Sequence, residues 1–232
     1  MSKNPPKSPI ERKLDIAAQR EASMSWQVFR IMSEFVEGLD FLSKVEKPIT
    51  IFGSARAKPG EKYYELARAT ASALAQAGYA VITGGGPGIM EAGNKGASEA
   101  GGNSIGLNIE LPYEQGTNAF VKRGISFRYF FSRKFMLDYS ALAYVYLPGG
   151  FGTLDELFTV LTLVQTKKTD VDVPVVLMGV EFWQPLVAWI QSSLVERGLV
   201  SAADPQLLHL TDDPAEVLRL VKQAGEREFG ED

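Results

Sequence analysis

The chain of 232 residues contains no cysteine and a single histidine, His209. Without thiols it has no disulfide framework, no zinc ribbon, no iron–sulfur cluster and no cysteine nucleophile. One imidazole cannot build a histidine-rich metal site, and it is the only one available to a serine-type relay. Long apolar runs are also missing. No stretch reaches transmembrane length, and the opening MSKNPPKSPIERK lacks the apolar core of a signal peptide. Nor is there an excess of positive charge: the formal net charge of −4 argues against a nucleic-acid footprint over the whole surface. These absences predict a soluble cytoplasmic protein with no metal, no cofactor and no nucleic-acid or membrane partner. Its chemistry must come from carboxylates, guanidinium groups, hydroxyls and backbone amides.

What is abundant is glycine, 22 residues, within a chain that is 45% hydrophobic. Residues 1–9, rich in proline, lysine and serine, read as a disordered tail. Residues 10–47 read as a helical extension, with Trp26, Phe29, Met32, Phe35, Val36, Leu39 and Phe41 too apolar for a free helix. That stretch must dock on the body or on another subunit. After Pro48 the pattern alternates. Strands are predicted at 49–53, 79–83, 104–109, 125–129, 142–147, 173–178 and 207–210, and helices at 62–77, 88–100, 133–139, 153–165, 183–197 and 215–228. Short continuous apolar strands such as ALAYVYL suit a parallel sheet covered on both faces. The predicted fold for residues 48–232 is a doubly wound, Rossmann-like α/β domain.

Ligands of such sheets bind outside the carboxyl ends of the strands. Unusual residues fall there in four segments: Gly53-Ser54-Ala55-Arg56, Gly84-Gly85-Gly86-Pro87-Gly88, Leu111-Pro112-Tyr113-Glu114 and Pro148-Gly149-Gly150-Phe151-Gly152-Thr153-Leu154-Asp155-Glu156. In the last, glycines free amides to meet an anion at a helix N-terminus, with Thr153 expected to cap the helix. A ligand-free reading is equally open, because Thr153 and Glu156 fit a Thr-x-x-Glu capping box. Asp155 and Glu156, both expected in the first turn, would repel a phosphate unless they face another part of the ligand, as the sugar of a nucleotide would allow. The dinucleotide fingerprint fails at Ile89 and Asp155, and the Walker pattern fails at Asn94. A mononucleotide is therefore the better match.

PGGFGTLDE at residues 148–156 resembles the PGGxGTxxE signature of the LOG family, named for the plant "lonely guy" cytokinin-activating enzymes. GGGPGIMEAGNKGA at 84–97, Arg133-Lys134 with Met136, and TLVQTKK at 162–168 are similar to further family segments in the expected order. The helical extension resembles that of longer bacterial members. The resemblance implies a phosphoribohydrolase, which splits a nucleoside 5′-monophosphate such as AMP or a cytokinin riboside monophosphate into free base and ribose 5-phosphate. It implies Arg133 and Glu156 as the catalytic pair, and Gly150, Gly152 and Thr153 as the substrate-holding loop. Glu114, Lys134, Asp155 and Thr162 match positions lining the site. Gly53, Ser54, Gly85, Gly86 and Gly149 are read as further places where backbone approaches the substrate. Met136 is open between an adenine contact and core filling. A carboxylate beside the anomeric carbon would stabilise an oxocarbenium-like transition state and orient water, a role assigned to Glu156, whose first-turn position is expected to favour its ionised form. Arg133 is open between binding substrate and pairing with Glu156 or Asp155. The sequence names no donor for the departing base.

Two other functions are compatible with these motifs. One is a nucleotide- or cofactor-binding carrier of the same fold without turnover, like the molybdenum-cofactor carriers. The other is a pyridoxal-phosphate lysine decarboxylase, for which no Schiff-base lysine with a pyridine partner is recognisable. His209, Trp183 and Trp189 read as packing residues, and Lys167, Lys168 and Lys222 as solvated. The aromatic run 127–131 is read as strand-end core rather than a base-stacking platform. The apolar extension predicts a homodimer or higher homo-oligomer.

Overall fold

The computed structural model describes residues 9–110, 116–139, 141–169 and 173–229, with side chains from Met24 to Ala224. Seven parallel strands form one sheet in the order β4-β3-β2-β1-β5-β6-β7. They are β1 (Pro48–Phe52), β2 (Ala80–Thr83), β3 (Ser104–Ile109), β4 (Arg123–Phe127), β5 (Ala143–Tyr146), β6 (Val175–Met178) and β7 (Leu208–Thr211). Helices α1 (Pro9–Leu42), α2 (Lys62–Gln76), α3 (Ile89–Glu99), α4 (Phe130–Tyr139), α5 (Phe151–Gln165), α6 (Val180–Trp189) and α7 (Pro214–Phe229) accompany them. The doubly wound α/β fold expected from the sequence is the fold observed.

Strand side chains alternate between two cores. Ile49, Ile51, Val81, Val145 and Val176 pack with α2, α3 and α7, whereas Ile82, Tyr144, Tyr146, Val175 and Leu177 pack with α4, α5 and α6. Every residue of β1, β2, β5 and β6 is buried, as central strands covered on both faces must be. The edge strand β4 is largely exposed. β1 lies between β2 and β5, so the chain reverses its winding direction there, and the crevice between the two strand ends is where doubly wound sheets take ligands.

Three helix starts differ from the sequence expectation. α4 begins at Phe130 rather than Arg133 because Glu34 of α1 caps it from across the fold. The Glu34 carboxylate accepts the Arg128 N–H at 2.7 Å, the Tyr129 N–H at 3.4 Å and the Ser132 hydroxyl. A helix cap of this kind contributes on the order of 1 kcal/mol. α5 begins at Phe151 because Gly150 is the N-cap residue. The predicted helix at 183–197 starts at Val180 instead, where Asp212 accepts the N–H groups of Gly179 (2.6 Å) and Val180 (3.0 Å). It then widens into a π-helical segment, Ile190–Val195.

α1 docks through Phe35, Leu39 and Leu42, while Gly38 lies so close to Met136 that a Cβ would stand 2.8 Å from its sulfur. Trp26, Phe29, Met32 and Val36 of the same helix are exposed.

Candidate functional site

A cleft of about 740 Å³ opens at the carboxyl ends of β1 and β5. One wall is the segment Phe52–Arg56, another is Gly84 with Met90, a third is Phe130, Arg133 and Leu137 of α4, and the fourth is Gly150–Glu156 at the start of α5. Each wall is fixed by bonds to its neighbours. The Ser54 N–H donates to Pro148 O at 3.0 Å, and the Ile89 N–H donates to Ser54 O at 2.9 Å.

Of the two long glycine loops, the one opening α5 is the free one. The first intrahelical bond runs from the Leu154 N–H to Gly150 O at 3.0 Å, so the amides of Phe151, Gly152 and Thr153 precede the hydrogen-bonded ladder. A Cβ at Gly150 or Gly152 would meet nothing within 4 Å, so the loop stands open to the cleft. This is the arrangement that binds an anion, by exposed N–H groups and the positive end of the helix dipole. Thr153 is not the cap, and the Thr-x-x-Glu box does not form. Its side chain folds back over Gly149, where any Cβ would collide with it. Because the helix starts at Phe151, Asp155 and Glu156 fall in its second turn, beyond the amides. The repulsion anticipated between these acids and a bound anion is thereby relieved.

The loop at residues 84–88 is turned mainly into the protein. The Gly85 N–H donates to Thr83 Oγ1 at 2.9 Å, and Asn118 donates its backbone N–H to Gly85 O and its side-chain amide to Gly86 O, each at 2.9 Å. Asn94 ties the same network to Ser104. Gly85 and Gly86 therefore do not line the cleft, although Gly84 does.

The chemistry-bearing side chains converge from α4 and α5. The Arg133 guanidinium donates through Nε to Leu107 O at 2.7 Å and through a terminal nitrogen to Gly84 O at 3.2 Å. Gly84 leaves room for it that a Cβ would fill. Burial lowers the Arg133 pKa, and the Glu156 charge opposes that shift. The ion pair that the sequence left open for Arg133 is made by Lys134, whose ammonium lies 2.5 Å from Asp155 and 3.8 Å from Glu156.

Glu156 has a side chain only 13% exposed, and its Oε2 has no hydrogen-bond donor. Burial raises its pKa, with Lys134 pulling the other way. The helix start does not hold its pKa down, contrary to expectation, because the group sits a turn further along and is desolvated. Behind it lies Asp138 of α4, 6% exposed, with Oδ1 equally without a donor. Asp138 and Glu156 lie against each other, and burial together with the neighbouring carboxylate pushes Asp138 up to about 8. Asp138 was not anticipated from the sequence.

Among the other expected site residues, Gly53, Ser54, Gly150, Gly152, Thr153 and Asp155 line the cleft with Arg133 and Glu156. Lys134 reaches the site through its ion pairs. Gly149 sits beneath Thr153. Met136 is 1% exposed and belongs to the core against Gly38 rather than to the cleft. Thr162 is exposed about three turns along α5, bonding Phe158 O, and faces a separate small pocket. Glu114 lies outside the described residues. The aromatic run divides: Phe127 is core, while Phe130 is exposed at the cleft. Trp183 is buried, donating to Tyr146 O and Met178 O, and Trp189 is half-exposed. His209 lies in β7, away from the cleft. Arg56, Met90 and Phe151, which fall in the glycine-loop segments but were assigned no role of their own, also line it.

Fold and site together define an α/β protein with an open helix start, its first amides free, at the point where the sheet's winding reverses. The model of a family described as "possible lysine decarboxylase" matches residues 90–221, more than half of the chain. The chain belongs to that family, the LOG family of the sequence motifs. No curated protein matches it in sequence. Among solved structures it is similar to the molybdenum cofactor carrier protein of Chlamydomonas reinhardtii, at 25% identity and a TM-score of 0.59, over 77% of this chain and 98% of that one. It also shares its fold with the molybdenum cofactor binding protein of the phototrophic bacterium Rippkaea orientalis, at 23% identity and a TM-score of 0.56, over 76% and 94% of the two chains. Among the described residues no helix is long and apolar enough to cross a membrane, and no cluster of side chains is suited to a metal ion.

Proposed function

We propose that the protein hydrolyses the N-glycosidic bond of a nucleoside 5′-monophosphate, releasing free base and ribose 5-phosphate. The observation that carries this reading is the pairing, on one helix, of free N-terminal amides with a desolvated carboxylate one turn further on. From Phe151 to Glu156 the helix rises about 7.5 Å, comparable with the reach from a 5′-phosphate across a ribose to its anomeric carbon. A phosphate on the amides therefore brings that carbon to Glu156. As the C1′–N bond breaks, its electron pair goes to the base nitrogen and positive charge grows on the ribose, which the Glu156 carboxylate stabilises. Water forms the new C1′–O bond and gives its proton to Glu156, which passes it to the departing base. Arg133, held in plane by Leu107 O and Gly84 O, supplies fixed positive charge at the cleft wall. Its guanidinium is too weak an acid to donate the proton.

The decarboxylase in the family's description does not suit this site. Schiff-base formation needs a neutral amine, and the lysine at the cleft, Lys134, is the cation of two ion pairs. A carrier function is the second reading, favoured by the likeness to the Chlamydomonas reinhardtii protein. A panel of nucleoside 5′-monophosphates separates the two. Incubation with AMP or a cytokinin riboside monophosphate is expected to yield adenine or its N6-substituted form, with ribose 5-phosphate, read by chromatography. Binding across the panel with no base released would replace the hydrolase by the carrier.

The same reading includes a homo-oligomer. Trp26, Phe29, Met32 and Val36 recur at helical spacing along α1 and are each more than half exposed. A contiguous apolar face of that kind marks a protein contact, and a second copy of this chain is the partner proposed. Light scattering is expected to give at least a dimer mass; a monomer would remove this part of the proposal.

A further inference from the structure

We infer that Asp138 is a positioning residue for Glu156: a buried carboxylic acid that keeps its proton at neutral pH and donates it in a hydrogen bond to the Glu156 carboxylate. The inference rests on the hydrolase reading for its consequence in turnover, but not for the proton itself. Two carboxyl groups, on α4 and α5, each present a buried oxygen with no donor from any other residue. Two ionised carboxylates in such contact repel, and each leaves a lone pair unsatisfied. One shared proton removes both defects.

The fold decides which group keeps it. Asp138 stands behind the cleft wall, whereas Glu156 lines the cleft. The backbone at Asp138 is pinned, because the Thr50 hydroxyl donates to Leu137 O at 3.3 Å and the Tyr144 hydroxyl donates to Asp138 O. The charged and titratable groups around the pair are Arg133 and Lys134 on α4, Asp155 on α5, and Tyr144 and Tyr146 on β5. Both cations act on Glu156, and Lys134 ion-pairs with it, so the negative charge belongs on Glu156 and the proton on Asp138. The pair then carries one negative charge, directed at the cleft. During hydrolysis Glu156 takes up the water proton while Asp138 keeps its own, so the pair passes from one proton to two and returns to one when the base is protonated. Raising the pH through the Asp138 titration, at about 8, removes the donor and places two charges side by side.

Infrared difference spectra of the whole protein and its Asp138→Asn variant test the proton directly. At neutral pH the wild-type protein is expected to show the carbonyl stretch of a protonated carboxyl, absent from the variant. A spectrum without that band, or a band that persists in Asp138→Asn, overturns the inference whether or not base release is ever detected. If no monophosphate is turned over, the hydrolase reading falls while the spectrum still decides the proton. With turnover, the rate is expected to decline above about pH 8 in wild type and to lose that limb in Asp138→Asn, whose amide donates at every pH. Asp138→Leu offers no donor, so its acid limb is expected to move to higher pH and its plateau to fall at least about tenfold. A purely structural role would lower the plateau in both variants without moving either limb.

Discussion

Glu156→Gln is expected to lower base release by about a thousandfold or more, because it removes the charge that develops its full value only as the sugar becomes cationic. The substitution keeps side-chain length and leaves the phosphate-facing amides untouched, so binding of a nucleoside monophosphate should persist. Stability is expected to hold or improve, since a buried charged carboxylate is replaced by a neutral amide whose carbonyl can still accept the Asp138 proton. The pH dependence sharpens this. In wild type the Asp138 pKa in the folded protein, about 8, lies above its unfolded value of about 3.9. Between these limits the folded state binds one proton more than the unfolded state. Stability contributed by that proton is complete below about pH 4 and is lost as pH rises through about 8. Glutamine at 156 removes the neighbouring charge that helps to raise Asp138, so the decline between these limits should flatten. Denaturant midpoints at several pH values, beside a chromatographic assay of base release, read both effects. Unchanged turnover in the variant would remove Glu156 from the mechanism.

The parts of the site legible in the sequence are those written into single segments. The glycine loops, the strands that lead to them and the order of the motifs follow from local chemistry, and Arg133 and Glu156 do meet in one cleft. What could not be read depends on contacts between distant segments. Glu34 sets the start of α4 from 94 residues away, so a pattern-based start at Arg133 was the natural result. Nothing local in the sequence marks Asp138; only the packing of α4 beside α5 turns it into the partner of Glu156. Met136 was ambiguous because apolar spacing cannot distinguish a ligand contact from a helix-packing contact, and Gly38 across the interface decides it. The one local error with chemical weight was the cap of α5. Thr153 is a good N-cap residue by composition, but the extended backbone of Gly150 starts the helix earlier. That shift of three residues changes Glu156 from a group near the helix dipole's positive end to one governed by burial and its neighbours.

Gly88→Ala is expected to be strongly damaging, although Gly88 stands behind the cleft wall rather than in it. Gly88 has φ +71° and ψ −129°, a conformation that costs an L-residue on the order of 1–3 kcal/mol. Its Cβ would also stand 2.6 Å from the Ala55 carbonyl carbon and 2.8 Å from Ala55 Cα, with Ser54 O closer still. Neither side can yield freely. Ser54 O accepts the Ile89 N–H at 2.9 Å and the Ser54 N–H donates to Pro148 O at 3.0 Å, so moving this loop loosens the wall that faces the Gly150–Thr153 amides. Strain and overpacking together are expected to destabilise the protein by about 3 kcal/mol or more and to weaken monophosphate binding in whatever fraction remains folded. Gly60→Ala is the matched control. Gly60 also has positive φ, +87°, but nothing lies within 4 Å of its Cβ, so about 1 kcal/mol is expected from backbone conformation alone. Denaturation midpoints of the two variants isolate the collision from the dihedral cost. Equal losses in the two would mean that the β1 loop and the start of α3 are not braced against each other.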